Sequence, residues 1–319
     1  MSRRVAIPEG LREHPFSSRT ARAAGLSPDR LRSRDVAHPY HGVCVVGLEV
    51  QSIAERVRAF QVRMTPGQVF SHETAAALYE APLPSGTLGE LIDVSVPWPR
   101  TPPQTRGVRG HALRPDSVFV REYRRAALIA PADVWCQLAD RLRREDLVAV
   151  GDYLISGSVW HGPHRQPFTT SAEIAASVAR HAGTRGAKAR AWALPLLRES
   201  VDSRPETRMR LLLMASGFPE PLIADPTPVA GGLVLHPDLK LRQWKIVFEY
   251  EGEEHFTDIR RWRSDISRRE LFEEVGWRVI RVTSDDLFVN PGAFIARVRR
   301  DHSVARNSVV RPMVASPWA

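Results

Sequence analysis

Three carboxylates in the last third of the chain are spaced so that their side chains can meet. Two short runs, Leu233 to Asp238 and Trp244 to Glu251, read as strands, and side chains two residues apart on a strand share a face. That period puts Val234, His236 and Asp238 on one face of the first run, and Val247, Glu249 and Glu251 on one face of the second. Glu249 and Glu251 then lie about 7 Å apart, and at an effective dielectric near 20 they repel by roughly 2 kcal/mol, to which Asp238 adds. A cation should sit among them. A hard divalent ion, Mg²⁺ or Mn²⁺, answers the need, because Mg²⁺ takes one or two protein carboxylates and keeps its waters. Such an ion polarises a phosphate and activates water. The alternative is a strand end neutralised by Arg260, Arg261 or Arg268. Gly252 favours the ion, since a residue without Cβ lets a ligand come close to the backbone.

The surrounding elements come in a simple order. Helix Pro205 to Ser216 precedes strands near Ile223, Leu233 to Asp238 and Trp244 to Glu251; then come helix Trp262 to Val275, strand Trp277 to Val282 and helix Ala293 to Arg299. Gly276 ends the long helix as its C′ residue, and the apolar run ending at Phe248 suits a strand covered on both faces. The fold class is α/β.

Pro237-Asp238, ten intervening residues and Glu249-Tyr250-Glu251 resemble the Pro-Asp…Glu-x-Lys signature of PD-(D/E)XK nucleases. With Pro205-Glu206-Thr207-Arg208, Gly252, His255, Asp265, Arg268-Arg269 and Gly276-Trp277, the segment is similar to a domain-of-unknown-function family related to very-short-patch mismatch-repair endonucleases. The resemblance covers roughly residues 185 to 300. It implies a restriction-endonuclease-like αβββαβ domain in which Asp238 and Glu249 ligate Mg²⁺, Glu206 completes the metal site and His255 stands near the scissile phosphate. Arg268 and Arg269 would touch nucleic acid. Glu206 has a second reading, because Ser203 and Glu206 also make a capping box at the helix start. Glu251 occupies the position where the wider superfamily carries lysine, so His236, His255, Arg268 or Arg269 would have to supply the missing positive or proton-handling group.

At the other end of the chain, residues 1–50 suggest a helix over Phe16 to Ala24, a Gly25 stop, a second helix opened by Ser27-Pro28-Asp29, and a β-element at Tyr40 to Val45. Two helices and a hairpin in that order read as a winged helix-turn-helix, with Arg30, Arg32 and Arg34 facing DNA. A small helical cap with solvated arginines is the other reading. Phe16, Ala24-Gly25-Leu26, Leu31 and Tyr40-x-Gly42-Val43 resemble the winged-helix antitoxins of the abortive-infection AbiEi type, which implies DNA binding and a place in defence or toxin–antitoxin biology.

Residues 51–165 read as an α+β connecting or regulatory domain: helices over Ile53 to Met64 and His72 to Tyr79, strands near Leu91 to Val96 and Val118 to Arg121, and closing helices over Val134 to Leu154. No catalytic constellation is legible there, since His72 sits beside Glu73 while His111 lies far off in a strand-like stretch. Turn residues from Gly157 to Thr170 mark a boundary. The basic helices from Ala172 to Arg198 are expected to belong with the C-terminal elements, in a domain spanning 170–305.

Composition agrees with a multidomain globular protein: 319 residues, 43% hydrophobic and 25% charged. Lys and Arg number 45 against 36 Asp and Glu, a formal charge of +9 carried almost wholly by arginine, which forks onto phosphate. Double-stranded DNA is the expected partner. Two cysteines, Cys44 and Cys136, exclude a disulfide framework or a cysteine zinc site. The Met1-Ser-Arg-Arg start lacks a signal-peptide core and no 18 apolar residues run together, so a cytoplasmic location away from membranes is expected. The sequence thus points to a Mg²⁺-dependent endonuclease, with a DNA-binding regulator that keeps the nuclease fold as its rival.

Overall fold

A computed structural model describes residues 5–157, 166–201, 203–252 and 268–309. The protein is mixed α/β and divides into two units, Met1–Leu154 with Phe168–Leu196, and Ile155–Pro167 with Leu197–Ala319. Among the described residues no helix is long and apolar enough to cross a membrane.

The first unit opens with strand β1 (Phe16–Ser17), helices α1 (Ser18–Ala23) and α2 (Pro28–Leu31), and strands β2 (Val36–Ala37) and β3 (Val43–Val46). The second helix starts as expected, with Pro28 at the first helical position and the Ser27 hydroxyl accepting the Arg30 N–H, whereas the first, expected from Phe16, begins at Ser18 because Phe16–Ser17 pairs as β1 and the Ser17 hydroxyl caps it by accepting the Thr20 N–H. β3 lies between β1 and β2 in an antiparallel sheet, closing a small core of Phe16, Ala21, Leu26, Leu31, Val36 and Cys44.

This segment is not a separate body. Tyr40 packs edge-on against Phe60 with ring centroids 5.1 Å apart, and a Cβ at Gly107 would stand 3.0 Å from the Tyr40 ring. Residues on both sides of position 50 belong to the same compact unit. The chain continues through helix α3 (Ile53–Gln61), β4 (Val69–Phe70), α4 (His72–Leu78), β5 (Ile92–Pro97), β6 (Val108–Leu113), β7 (Val120–Tyr123) and β8 (Ala126–Ile129). The five strands form one sheet in the order β6-β5-β4-β8-β7, in which β5 and β6 run parallel and pair Asp93 with Arg109 and Ser95 with His111.

Helices α5 (Pro131–Leu138), α6 (Arg144–Ile155), α7 (Ser171–Arg180) and α8 (Ala187–Ala193) complete the unit. Here the structure corrects the expected division, which gave α7 and α8 to the C-terminal domain. Fully buried Asp133 of α5 accepts the Ser177 hydroxyl at 2.5 Å and Arg180 Nη2 at 2.7 Å, and Arg190 donates to the Cys136 carbonyl at 3.1 Å. A Cβ at Gly186 would come within 2.7 Å of the Ala139 backbone. Arg180 and Arg190, expected along a basic approach to the next domain, are tied to α5 instead.

The second unit carries α9 (Arg204–Ala215), β9 (Leu222–Ile223), β10 (Thr227–Pro228), β11 (Val234–Leu235), β12 (Leu239–Leu241), β13 (Ile246–Glu251), the helical residues 268–274 (α10), β14 (Arg278–Thr283) and α11 (Pro291–Val309). Its sheet runs β14-β13-β12-β9, with β9, β12 and β13 antiparallel and β14 parallel to β13. Alternation along β12 and β13 makes three layers. Leu239, Leu241, Ile246 and Phe248 face Met209 and Leu213 of α9 and Phe294 and Val298 of α11, while Val247 on the other face meets Phe272 of α10. Gly276 ends α10 at φ +79°, and β14 returns beside β13.

Candidate functional site

In the second unit the β12–β13 ladder ends with Leu239 opposite Phe248, so Asp238 and Glu249 lie one residue beyond its last pair; the strand expected over Leu233 to Asp238 is instead β11, which pairs with β10, followed by Asp238 just ahead of β12. Asp238 is fixed by the Tyr250 N–H, which donates to Oδ2 at 2.7 Å. Both acids are half-buried.

Each glutamate of β13 meets an arginine. Arg268 of α10 lies over Glu249 with Nε to Oε2 at 2.9 Å and Nη2 to Oε1 at 3.1 Å, and also donates to the His236 carbonyl. Arg281 of β14 pairs with Glu251 at 2.8 Å. Of the arginines expected to neutralise this strand end, Arg268 does meet Glu249, and Arg281, not among them, meets Glu251. Arg269, grouped with Arg268 as a nucleic-acid contact, is exposed and paired to Glu273 one turn on at 2.8 Å. His236 is held by the Ala224 carbonyl at 2.9 Å.

Glu206 sits in the first turn of α9 and is buried. Its carboxylate accepts the Ser203 hydroxyl at 2.7 Å and its N–H reaches the same hydroxyl at 3.4 Å, which is a capping role. Among the described residues, Glu206, Asp238 and Glu249 do not form a group whose ligand atoms come within 4.8 Å of one another. His255, Asp265, Arg260 and Arg261 lie outside the described residues.

The three N-terminal arginines differ from one another. Arg30 is tied inward, to the Val5 carbonyl at 2.7 Å, to Ser33, and to both carboxylate oxygens of Asp35 at 3.0 and 2.8 Å. That pairing holds the Asp35 carboxyl down at about 2. Arg32 and Arg34 are exposed, Arg32 beside Asp29 at 2.5 Å.

A second constellation, not read from the sequence, lies in the first unit. His72 at the start of α4, Asp93 on β5 and His111 on β6 bring one ligand atom each within 4.8 Å of one another. His111 Nε2 is 2.8 Å from Asp93 Oδ1, the two imidazoles stack with centroids 4.0 Å apart, and His72 Nδ1 is 2.9 Å from the Ser71 hydroxyl. Arg141 bridges Glu73 and Asp93, and Arg109 stands 3.6 Å from Asp93. Burial, with His111 and the Arg141 guanidinium close by, pushes His72 down to about 3. For Asp93, burial works upward, but the His111 hydrogen bond and Arg141 outweigh it and hold the carboxyl below the usual range. Glu73 is raised by burial and by neighbouring Asp93. The signal that could have found the cluster is Asp93, an acid within an apolar strand run. Neither cysteine competes as a nucleophile, because both are buried and burial raises both thiols, Cys136 to about 11.

No family model matches the chain. It is similar to two proteins of Mycobacterium tuberculosis strains, "Uncharacterized protein MT2308" and "Uncharacterized protein Rv2248", each 28% identical over 253 residues that cover 79% of this chain and 87% of the relative.

Proposed function

We propose that the protein is a Mg²⁺-dependent endonuclease of duplex DNA, its second unit carrying the chemistry and its first unit contributing DNA contacts. The observation that carries this reading is the placement of Asp238 and Glu249 one residue beyond the last β12–β13 pair, on a sheet whose αβββαβ order is the one the nuclease resemblance implies. Two carboxylates so placed are the donors that a hard ion takes, so the residues fit Mg²⁺ or Mn²⁺. When bound, the ion supplies Lewis acidity toward phosphate and an acidified water. The Tyr250 N–H orients Asp238 for that role. Arg268 neutralises Glu249 in the metal-free chain, and its fork matches a phosphate equally well. It is the group we assign to the positive charge that Glu251 does not provide. In the first unit, β1, α1, α2 and the β2–β3 pair follow winged-helix order, and exposed Arg32 and Arg34 are its phosphate contacts. Free, buried cysteines suit a cytoplasmic protein, and the setting we infer is defence or a toxin–antitoxin pair.

A second reading has its own observation. Arg268 engages both oxygens of Glu249 while Glu251 holds the lysine position, an arrangement suited to a regulator that grips DNA without cutting it. Supercoiled plasmid incubated with the protein in Mg²⁺, Mn²⁺ or EDTA separates the two. Cleavage in metal that is absent in EDTA, and lost in Asp238→Asn and Glu249→Gln, supports the nuclease. Tight duplex binding with no cleavage in either metal supports the regulator.

A further inference from the structure

We propose that His72, Asp93 and His111 form a binding site for a borderline first-row cation of the zinc type, separate from the carboxylates of the second unit. The three ligand atoms come from three elements, α4, β5 and β6, and already lie within 4.8 Å of one another. In a tetrahedral site with bonds of roughly 2.0–2.1 Å, neighbouring ligand atoms stand about 3.4 Å apart. The His111 to Asp93 contact, at 2.8 Å, is a hydrogen bond in which a cation would take the proton's place as the imidazole shifts its hydrogen to Nδ1.

The side chains are held in position. Ser71, itself bonded to Ser95 at 2.6 Å, meets Nδ1 of His72, which makes Nε2 the nitrogen assigned to the ion in this proposal. Ligating histidines are oriented by a hydrogen-bond acceptor on the non-ligating N–H, usually a carboxylate, carbonyl or water, and a hydroxyl oxygen can serve in the same way. His72 has φ +49°, a left-handed backbone that disfavours any residue with a Cβ, and its N–H is anchored to Gln137 Oε1 at 3.0 Å. The fold keeps the imidazole in this place against local preference.

Charge and donor type select the ion. Asp93 and Glu73 are offset by Arg141 and Arg109, so the cluster presents no excess negative charge to attract a hard ion. Two imidazoles with one carboxylate suit Zn²⁺ and its neighbours, whereas Mg²⁺ and Ca²⁺ favour oxygen donors. Three protein ligands leave a tetrahedral ion one position for water or a substrate oxygen.

The test uses the full-length, tag-free chain carrying Asp238→Asn and Glu249→Gln, so that the second unit's carboxylates cannot contribute. After chelator stripping, Zn²⁺ is titrated against a chromogenic chelator and Co²⁺ is followed by its visible absorption. One equivalent of Zn²⁺ should bind, Co²⁺ should show the intense bands of low coordination, and Mg²⁺ in excess should not displace either. His111→Gln and Asp93→Asn should each weaken binding by at least about tenfold. His111→Gln keeps a donor toward Asp93, so its melting temperature without metal should match the parent, and it carries the test if Asp93→Asn fails to fold. Absence of stoichiometric Zn²⁺ binding, or unchanged affinity in His111→Gln, would overturn the site. Plasmid cleavage by the wild type bears on the nuclease reading alone and is scored separately.

Discussion

The guanidinium of Arg268, on α10, spans both carboxylate oxygens of Glu249, on β13, at 2.9 and 3.1 Å. The same oxygens are those a divalent ion would take. Arginine and metal are therefore competitors for Glu249.

Competition has a measurable sign. Hydrogen bonds to charged groups contribute about 1.5–3 kcal/mol, and this pair is partly solvated, so the lower end applies. Arg268→Ala should tighten Mg²⁺ binding by about tenfold, seen as a larger rise in melting temperature on adding Mg²⁺. On the proposed reading, in which the guanidinium also takes phosphate, duplex affinity should fall in the same variant. A Mg²⁺ response identical to wild type would show that the ion, if bound, does not use Glu249.

The exposed N-terminal arginines should separate from the buried one. Arg32→Ala with Arg34→Ala should lower the slope of log K against log salt by about two units, near 0.9 for each lost phosphate contact. Arg30→Ala should leave the slope unchanged and lower the melting temperature, since Arg30 joins Val5, Ser33 and Asp35. Fluorescence anisotropy with a labelled duplex at several salt concentrations reads the first, and a thermal melt the second.

Asp35 gives a pH signature. Its carboxyl is held at about 2 by the Arg30 hydrogen bonds, against an ordinary value of 3.8. A depressed folded-state value means stability that is present above about 3.8 and lost as pH falls from there toward about 2. Asp35→Asn should therefore be less stable than wild type at neutral pH, with the gap closing across that acid window. Denaturant melts of both proteins at stepped pH give the comparison; a gap that stays constant to pH 2 would remove Asp35 from the linkage.

What was legible in the sequence was local. The Ser27-Pro28 start, the Gly25 and Gly276 stops and the apolar run into Glu249 along β13 are short-range signals; the strand read over Leu233 to Asp238 is instead broken into β11 and β12, with Asp238 between them. Long-range partners were not legible. The His111 to Asp93 contact spans 18 residues and depends on the parallel register of β5 with β6, which no turn sequence announces. Asp133 and Ser177 are 44 residues apart, and the linker-like composition between them hid the fact that α7 returns to the first unit. Arg30 and Arg32 look equivalent in sequence, yet only the fold turns one inward onto Asp35 and leaves the other in solvent.

That return of α7 predicts where the chain can be cut. A fragment ending at Leu196 should melt cooperatively, because it keeps Ser177 and Arg180 on fully buried Asp133. A fragment ending at Pro167 loses both of those partners, keeps the Phe119 N–H on Asp133, and uncovers the buried residues of α5 on which α7 packs. Its melting temperature should fall sharply or its solubility be lost. Equal melts for the two fragments would show that α7 and α8 contribute nothing to the first unit.

Glu251 decides how the missing lysine is to be understood. It pairs with Arg281 at 2.8 Å, both side chains being partly exposed, so Glu251→Gln should cost no more than about 1 kcal/mol of stability. Glu251→Lys alone sets two cations side by side and should melt lower than Glu251→Gln. Adding Arg281→Glu reverses the pair and should recover most of that loss, which separates charge at this position from stability. On the nuclease reading, Glu251→Gln should leave the Mg²⁺ concentration for half-maximal plasmid cleavage unchanged. The reversed pair, with lysine where the wider superfamily carries one, should cleave faster than wild type. A Glu251→Gln protein that needs much more Mg²⁺ would make Glu251 a ligand of the ion, and the reversed pair should then be the slowest of the set.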